Sequence, residues 1–195
     1  MNALPFFLPS INESKKMTIE NQIEDILKRV EILEAEQSGN NLTLGVIKGD
    51  LDYVLAAFII AIGAAAYDMK VNMFFTFWAT AALRDPKKKV KKDLLGKMFG
   101  MMLPKGTKQL PLSKMQMAGI GPKMIRSVMK KNRVKSLEEM MDDAASLGIK
   151  INVCTMSMEL MGISKEELID YPYLKHVGVG SFVNMFLDSK QCWFM

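Results

Sequence analysis

The chain has 195 residues, of which 49% are hydrophobic and 24% charged, and its two cysteines are too few for a disulfide-stapled scaffold. This composition excludes a disordered chain and indicates one compact domain with an appendage, in a reducing compartment such as the cytoplasm. A formal net charge of +5 is too small to indicate nucleic-acid binding by itself, so we expect no nucleic-acid partner.

The first 37 residues divide into a leader and a helix. Residues 1–10 are apolar but lack the basic start and the cleavage pattern of a targeting segment, and we expect a flexible leader over residues 1–16. From Ile19 to Leu33 the apolar residues are spaced four, three, four and three apart, which is the heptad spacing of a coiled-coil seam. The helix predicted over residues 17–37 is therefore either a coiled coil that joins subunits or an amphipathic helix packed on its own domain.

From Leu42 onward, segments typical of buried strands alternate with segments typical of helices. The predicted strands are Leu42–Ile47, Lys70–Thr76, Ile149–Val153 and Gln191–Met195. The predicted helices are Leu51–Tyr67, Phe77–Leu83, Leu94–Met102, Pro122–Asn132, Leu137–Leu147, a turn from Cys154 to Leu160, and Ser181–Ser189. This alternation predicts one α/β domain over residues 42–195, a three-layer sandwich with a mostly parallel sheet.

The longest apolar run, Tyr53–Tyr67, lies in the first helix of this domain. It has 15 residues, whereas a membrane-spanning helix needs about 20. We therefore interpret it as a helix that is covered on most sides, and peripheral contact with a membrane stays open as an alternative.

Residues 85–135 form a basic, methionine-rich insertion. The lysine run Lys87–Lys92 is either a solvated face or a docking surface for an acidic protein or for lipid headgroups. The chain has 18 methionines, and the first interpretation of these is core and interface packing. A Cu(I) site is the alternative, because thioethers and thiolates are soft ligands. Its ligands would come from Met115, Met117, Cys154, Met156 and Met158.

Three of the predicted strand ends carry the candidate site. They continue into Lys48–Asp50, Thr76–Trp78 and Cys154–Met156. In open parallel sheets, ligands bind outside the carboxyl ends of the strands, so these segments are expected to meet there. Cys154 would also begin a helix, where free peptide N–H groups and the positive end of the helix dipole favour a thiolate.

A thiolate at Cys154 would be a nucleophile for sulfur transfer, and the alternative is an inert buried cysteine. The sequence has no CxxC motif, and no base is evident near Cys154, because the only histidine is His176. Persulfide chemistry needs no positioned base and therefore fits better than hydrolysis. Cys192 is interpreted as a core residue, with a disulfide to Cys154 as the lesser alternative. No nucleotide fingerprint is present, so no cofactor is expected.

Three segments, Gly49–Arg84, Leu110–Lys131 and Gly148–Ile169, resemble the DsrE/DsrF/DrsH-like family. The resemblance is closest to its larger branch, often labelled peroxiredoxin-like, and covers about residues 42–195. The most specific parts are Cys-x-Met-Ser-Met at Cys154–Met158 and Phe-Phe-Thr-Phe-Trp at Phe74–Trp78.

The resemblance implies a flavodoxin-like fold, a homo-oligomer, and a cytoplasmic sulfur carrier or sulfurtransferase-like protein that holds persulfide or thiosulfonate sulfur on Cys154. It also implies exchange with small TusA-like carriers, near rhodanese-like or heterodisulfide-reductase-like proteins. The residues expected to surround the sulfur are Asp50, Thr76, Phe77, Trp78, Thr155, Met156, Ser157 and Met158. A non-enzymatic binding or assembly module with an inert Cys154 is the second hypothesis.

Overall fold

The computed structural model describes residues 19–36, 39–88, 90 and 94–195, which fall into two units. The first unit contains helix α1 (Ile19–Glu36), and the second is an α/β domain. The predicted N-terminal helix is thus present, and its apolar residues Ile23, Ile26 and Val30 are exposed. The predicted leader lies outside the described residues.

The domain is organised around one five-stranded sheet. Its strands are β1 (Asn41–Val46), β2 (Lys70–Phe75), β3 (Lys150–Cys154), β4 (Leu174–Val177) and β5 (Gln191–Phe194). Their order across the sheet is β4-β3-β2-β1-β5, and every neighbouring pair is parallel. The carboxyl ends of all these strands therefore share one edge.

Helices connect the strands. They are α2 (Leu51–Ala66), α3 (Leu94–Met102), α4 (Ile120–Lys131), α5 (Leu137–Ser146), α6 (Thr155–Leu160) and α7 (Val179–Leu187). A 3₁₀ helix, Phe77–Leu83, follows β2. Within the described ranges, none of the helices combines the length and apolarity needed to cross a bilayer.

Successive strand residues point to opposite sides of the sheet. Helices cover both of these sides. On one side the ring of Phe75 lies 6.2 Å from that of Phe58 in α2, and α2 packs on α5. On the other side Phe74 stacks on Phe182 of α7 with ring centroids 4.5 Å apart. The predicted α/β sandwich, a flavodoxin-like fold with a mostly parallel sheet, is confirmed.

The two faces are unequally covered. The main hydrophobic core lies on the α2 side and includes Leu44, Met73 and Ile151. On the other side α7 has no buried residue, and its Phe186 is exposed, as is Phe194 of β5, whose ring contacts Phe182 of α7. This second face therefore presents apolar side chains to the solvent.

Strand β4 was not predicted from the sequence. Its four residues, Leu174–Val177, lie at an edge of the sheet and none is buried. Lys175 and His176 interrupt the apolar pattern, so short length and partial exposure remove the signal that identifies inner strands. The other predicted strands are present with ends shifted by one residue.

A buried ion pair anchors the insertion to the domain. The guanidinium of Arg84 donates to the Glu167 carboxylate at 2.9 Å, and both side chains are buried. Arg84 also donates to the carbonyl oxygens of Gly100 and Pro104, at the end of and just after α3. In the lysine run, Lys88 pairs with Asp170 at 2.6 Å, while residues 89 and 91–93 lie outside the described ranges.

The first prediction concerns this pair. Glu167→Gln keeps an oxygen that can accept the Ser164 N–H but removes the charge that balances the buried guanidinium of Arg84. Breaking a buried pair costs roughly 3–5 kcal/mol, so we expect a loss of that size in chemical denaturation. The double variant Arg84→Met, Glu167→Leu should recover part of the loss. Unchanged stability of Glu167→Gln would contradict an anchoring role.

Candidate functional site

Cys154 is the last residue of β3 and the residue from which α6 begins. In the β2–β3 pairing Phe75 lies beside Val153, so Thr76 continues the chain next to Cys154. On the other side Cys154 is paired with Val177 at the end of β4. The sheet register therefore places the thiol between two strand ends at the carboxyl edge, as predicted.

Two hydroxyl groups accompany the thiol. The oxygens of Thr76 and Ser157 lie 2.5 Å apart, so one hydroxyl donates to the other. Ser157 is three residues after Cys154, which places it one helical turn from the thiol. Because the bond between the hydroxyls uses one of their two hydrogens, the second is available to the sulfur.

Opposing effects act on the pKa of Cys154. Burial raises it, whereas the hydroxyl and peptide N–H of Ser157, the hydroxyl of Thr76 and the peptide N–H of Met156 lower it, and the balance leaves the pKa below that of an ordinary thiol. No side-chain cap hydrogen bond of strict geometry forms at Cys154, so the peptide groups act through their partial charges at longer range. The site stabilises a thiolate with neutral donors.

The thiol lies just below the surface. Cys154 is 5% exposed, yet it is outside the main core cluster. Its neighbours in the chain and in the adjacent loop are open to solvent, with Met156 58% and Phe77 44% exposed. The sulfur is therefore almost closed to solvent, with exposed residues beside it at the carboxyl edge of the sheet.

The turn after β2 is strained. Phe77 has a φ of 45°, in the left-handed region that a bulky side chain rarely adopts. Such strained residues are concentrated at functional sites, where the surrounding structure holds them. Here the strained residue directly follows Thr76, which contacts the Cys154 thiol.

His176 cannot act as a base for Cys154. It is paired with Val153, whereas Cys154 is paired with Val177, so the imidazole and the thiol project from opposite faces of the sheet. Burial, followed by the charge of Lys165, lowers the pKa of His176. The expectation of a site without a positioned imidazole agrees with this geometry.

Not all of the predicted site residues come together. Asp50 and Trp78 line a separate cavity of about 180 Å³ with Lys48 and Gly49. A Cβ on Gly49 would overlap the carbonyl oxygen of Trp78, so the two loops are in close contact. Asp50 stands at the N-cap of α2, but its side chain makes no cap hydrogen bond. Burial and the charge of Asp52 raise the pKa of Asp50.

The remaining predicted residues of α6 point in different directions. Met156 is 58% exposed and Met158 only 3%, since residues two apart differ by about 200° around a helix. The hydroxyl of Thr155 donates to the carbonyl oxygen of Val177 at 3.4 Å, away from the thiol. This arrangement gives no support to a Cu(I) site built from Cys154, Met156 and Met158 together.

The two cysteines are unlike each other and far apart. Cys154 is on β3 and Cys192 on β5, three strand spacings away, which is about 14 Å across the sheet. Disulfides need Cα atoms within about 7 Å, so the alternative of a Cys154–Cys192 bond within one chain is wrong. Burial raises the pKa of Cys192, in contrast to Cys154.

Sequence reasoning missed one polar residue on the thiol's side of the sheet. Asn152, two residues before Cys154, is 4% exposed, and its Nδ2 has no hydrogen-bond partner among the described residues. An amide in the otherwise apolar strand Ile151–Val153 was the available signal. Val177 was also missed, because β4 was not predicted.

Comparison with protein-family profiles identifies one family. A profile of the DsrE/DsrF/DrsH-like family matches residues 38–194. The chain is 46% identical over 142 residues to YrkE of Bacillus subtilis (strain 168), a protein described as uncharacterized, covering 72% of this chain and 88% of that one. It is 30% identical over 158 residues to the sulfur carrier protein DsrE2 of Allochromatium vinosum, covering 79% and 97%. Among solved structures, the YchN protein of E. coli aligns with a TM-score of 0.44 and 10% identity, covering 80% and 99%.

The second prediction concerns the polar contacts of the thiol. Ser157→Ala removes the hydroxyl that lowers the pKa of Cys154 most, so we expect the titration midpoint of Cys154 to move to higher pH as the thiolate loses stabilisation. The ultraviolet absorbance of the thiolate, followed against pH in a Cys192→Ser background, measures this. Ser146→Ala is the matched control, because its hydroxyl bonds within α5 to the carbonyl of Asp142. An equal midpoint in both variants would contradict the assigned role of Ser157.

Proposed function

The chain belongs to the DsrE/DsrF/DrsH-like family, and from this membership we propose that it is a sulfur carrier that holds sulfur covalently on Cys154. Membership, together with the relative that is named a sulfur carrier, supports a role in sulfur metabolism. The observation that carries the finer proposal is the setting of the thiol. Cys154 stands at the carboxyl edge of the sheet with a lowered pKa, beside the hydroxyls of Thr76 and Ser157.

The proposed reaction is an exchange at sulfur. The Cys154 thiolate attacks the outer sulfur of a donor persulfide, a new S–S bond forms on Cys154, and the donor S–S bond breaks. The electron pair leaves with the donor's inner sulfur as a thiolate, so the step involves no net oxidation or reduction. Attack by an acceptor thiolate on the outer sulfur of Cys154 reverses the process and delivers the sulfur.

With tetrathionate as donor, the Cys154 thiolate attacks one of the two central sulfurs and the central S–S bond breaks, which leaves a thiosulfonate on Cys154 and releases thiosulfate. The residues around Cys154 have distinct parts in both reactions. Ser157 and Thr76 stabilise the thiolate that attacks and the one that leaves when sulfur is delivered. The exposed side chains of Met156 and Phe77 form the apolar approach to the sulfur.

The limited exposure of Cys154 bears on its partners. Cys154 is almost fully buried. A partner protein that presents its own sulfur on a protruding thiol would fit this site best. We therefore propose small TusA-like carriers as exchange partners in the cytoplasm, with rhodanese-like or heterodisulfide-reductase-like proteins as neighbours in the same relay. Peripheral contact with a membrane stays a proposal.

A second candidate, an assembly module with an inert thiol, is favoured by one observation, the 5% exposure of Cys154. The two candidates differ in what they require of the sulfur. A carrier must be loaded by small donors, whereas an inert thiol must resist them.

The third prediction separates these candidates. After incubation with polysulfide or tetrathionate, mass spectrometry of the intact chain should find an adduct of sulfur or thiosulfonate mass. We expect the adduct in wild type and in Cys192→Ser, and its absence in Cys154→Ser. A wild-type chain that stays unmodified would support the assembly module. An adduct that persists in Cys154→Ser would place the reactive sulfur elsewhere.

We also propose that the chain forms homo-oligomers and that α1 contributes a coiled coil. The exposed residues Ile19, Ile23, Ile26 and Val30 have the spacing of seam positions, with Ile19 and Ile26 at the d positions. The exposed apolar side chains of α7 offer a further surface for subunit contact.

The fourth prediction tests the coiled coil in a chain that lacks Cys154 and Cys192. In a parallel, in-register pair, equivalent d positions lie within disulfide reach. Ile19→Cys and Ile26→Cys should therefore each give covalent dimers on mild oxidation, seen in a non-reducing gel. Lys28→Cys, on the outward face of α1, is the control and should stay monomeric in the gel. Monomers from all three variants would show that α1 does not pair in this way.

A further inference from the structure

A second cavity opens at the same edge of the sheet, on the side opposite the thiol. It has a volume of about 470 Å³ and lies between α4 and the start of α5. Its apolar lining includes Leu51, Met129 and Leu137, of which Leu51 and Leu137 are fully buried. The volume is within the range of small-molecule sites, about 300–1,000 Å³.

The topology explains where this cavity lies. Leu51 begins α2 shortly after the carboxyl end of β1, and α5 runs back toward the start of β3. Both helices therefore begin at the carboxyl edge of the sheet, where open α/β folds bind ligands.

The rim of the cavity is basic. Arg126, Lys130, Arg133 and Lys135 all line it. Lys135 is paired with Asp143, and Arg126 donates to the carbonyl oxygen of Thr107. For the side chains of Lys130 and Arg133, the described part of the chain supplies no hydrogen bond or ion pair.

One carboxylate, Glu139, also lines the cavity, but it is hydrogen-bonded at the start of its own helix, α5. It accepts the peptide N–H of Ser136 at 2.7 Å, and the Ser136 hydroxyl accepts the peptide N–H of Glu139. This capping box holds the negative charge at the start of α5. Among the described residues that line the cavity, two cationic side chains therefore have no side-chain partner, and the single carboxylate, Glu139, is already hydrogen-bonded.

The backbone conformation of Arg133 is a separate indication that its side chain has a role at this cavity. Arg133 follows α4 with a φ of 56°, and the next peptide N–H, that of Val134, bonds back to the carbonyl of Met129 at 2.9 Å. This is the helix-ending turn at which glycine is favoured, because a side chain is strained in the left-handed region. A large cationic side chain occupies the strained position, at the rim of the cavity.

We propose that this cavity binds a small anionic amphiphile. Its charged head, a phosphate or carboxylate, would lie between Lys130 and Arg133, and its apolar part would lie on Leu51, Met129 and Leu137. A guanidinium matches the planar geometry of such oxygen pairs, and the apolar lining explains why a simple inorganic ion would fill the cavity poorly.

The experiment uses the full chain and octyl phosphate as the probe, followed by isothermal titration calorimetry below the micelle concentration. We expect saturable binding of octyl phosphate, and about tenfold weaker binding or none of inorganic phosphate, which lacks the tail, and of octyl glucoside, which lacks the charge. Cys154→Ser should bind as wild type does, which separates this site from the sulfur carrier function.

Arg133→Gly is the decisive variant. Glycine relieves the left-handed strain, so the melting temperature should rise while octyl phosphate binds about tenfold more weakly. Lys131→Ala, a neighbouring lysine outside the cavity, is the matched control and should leave affinity unchanged. No saturable binding to wild type, unchanged affinity of Arg133→Gly, or an equal loss in Lys131→Ala would each overturn the proposal.

Discussion

The parallel alignment of β2 and β3 is the constraint on which the candidate site depends. Thr76 and Cys154 are 78 positions apart in the printed sequence, and only the strand register makes them neighbours. Once α6 begins at Cys154, the Ser157 side chain returns one turn later to meet the Thr76 hydroxyl. One strand pairing and one helix start therefore assemble the polar surroundings of the sulfur.

These surroundings balance two opposing requirements. Burial disfavours a thiolate, but it also shields the Cys154 side chain from solvent. Hydroxyl and peptide donors offset the electrostatic cost without adding a positive charge. Cys192 shows what burial does alone, because its pKa is raised while that of Cys154 is lowered. Neighbouring donors, rather than the residue type, distinguish Cys154 from Cys192.

The Cys154 site and the basic cavity lie at the same edge of the sheet but on opposite faces. On the side of α7, the sheet face that carries Cys154 is covered by a helix that has no buried residue. On the side of α2 and α5, the thick core leaves a basic cavity where two helices begin. The insertion between β2 and β3 supplies α4 to that cavity, and the Arg84–Glu167 pair anchors the insertion. The insertion thus builds a surface that the strands and their direct connections do not provide.

The sequence by itself determined the α/β class, the inner strands, most helices and the choice of Cys154, since each rests on local patterns of apolar residues or on a short motif. It also suggested Thr76 and Ser157 as neighbours of the thiol, because Thr76 follows a predicted strand and Ser157 lies in the first turn after Cys154. Only the tertiary structure decided that Asp50 and Trp78 line a different cavity, that His176 lies on the other face, and that Cys192 is out of reach. Strand order and register determine which of these residues are neighbours. Both depend on contacts between segments that are distant in the sequence, which the local pattern of apolar residues does not predict. The edge strand β4 was not predicted from the sequence, because a half-exposed strand has too weak an apolar pattern to be recognised.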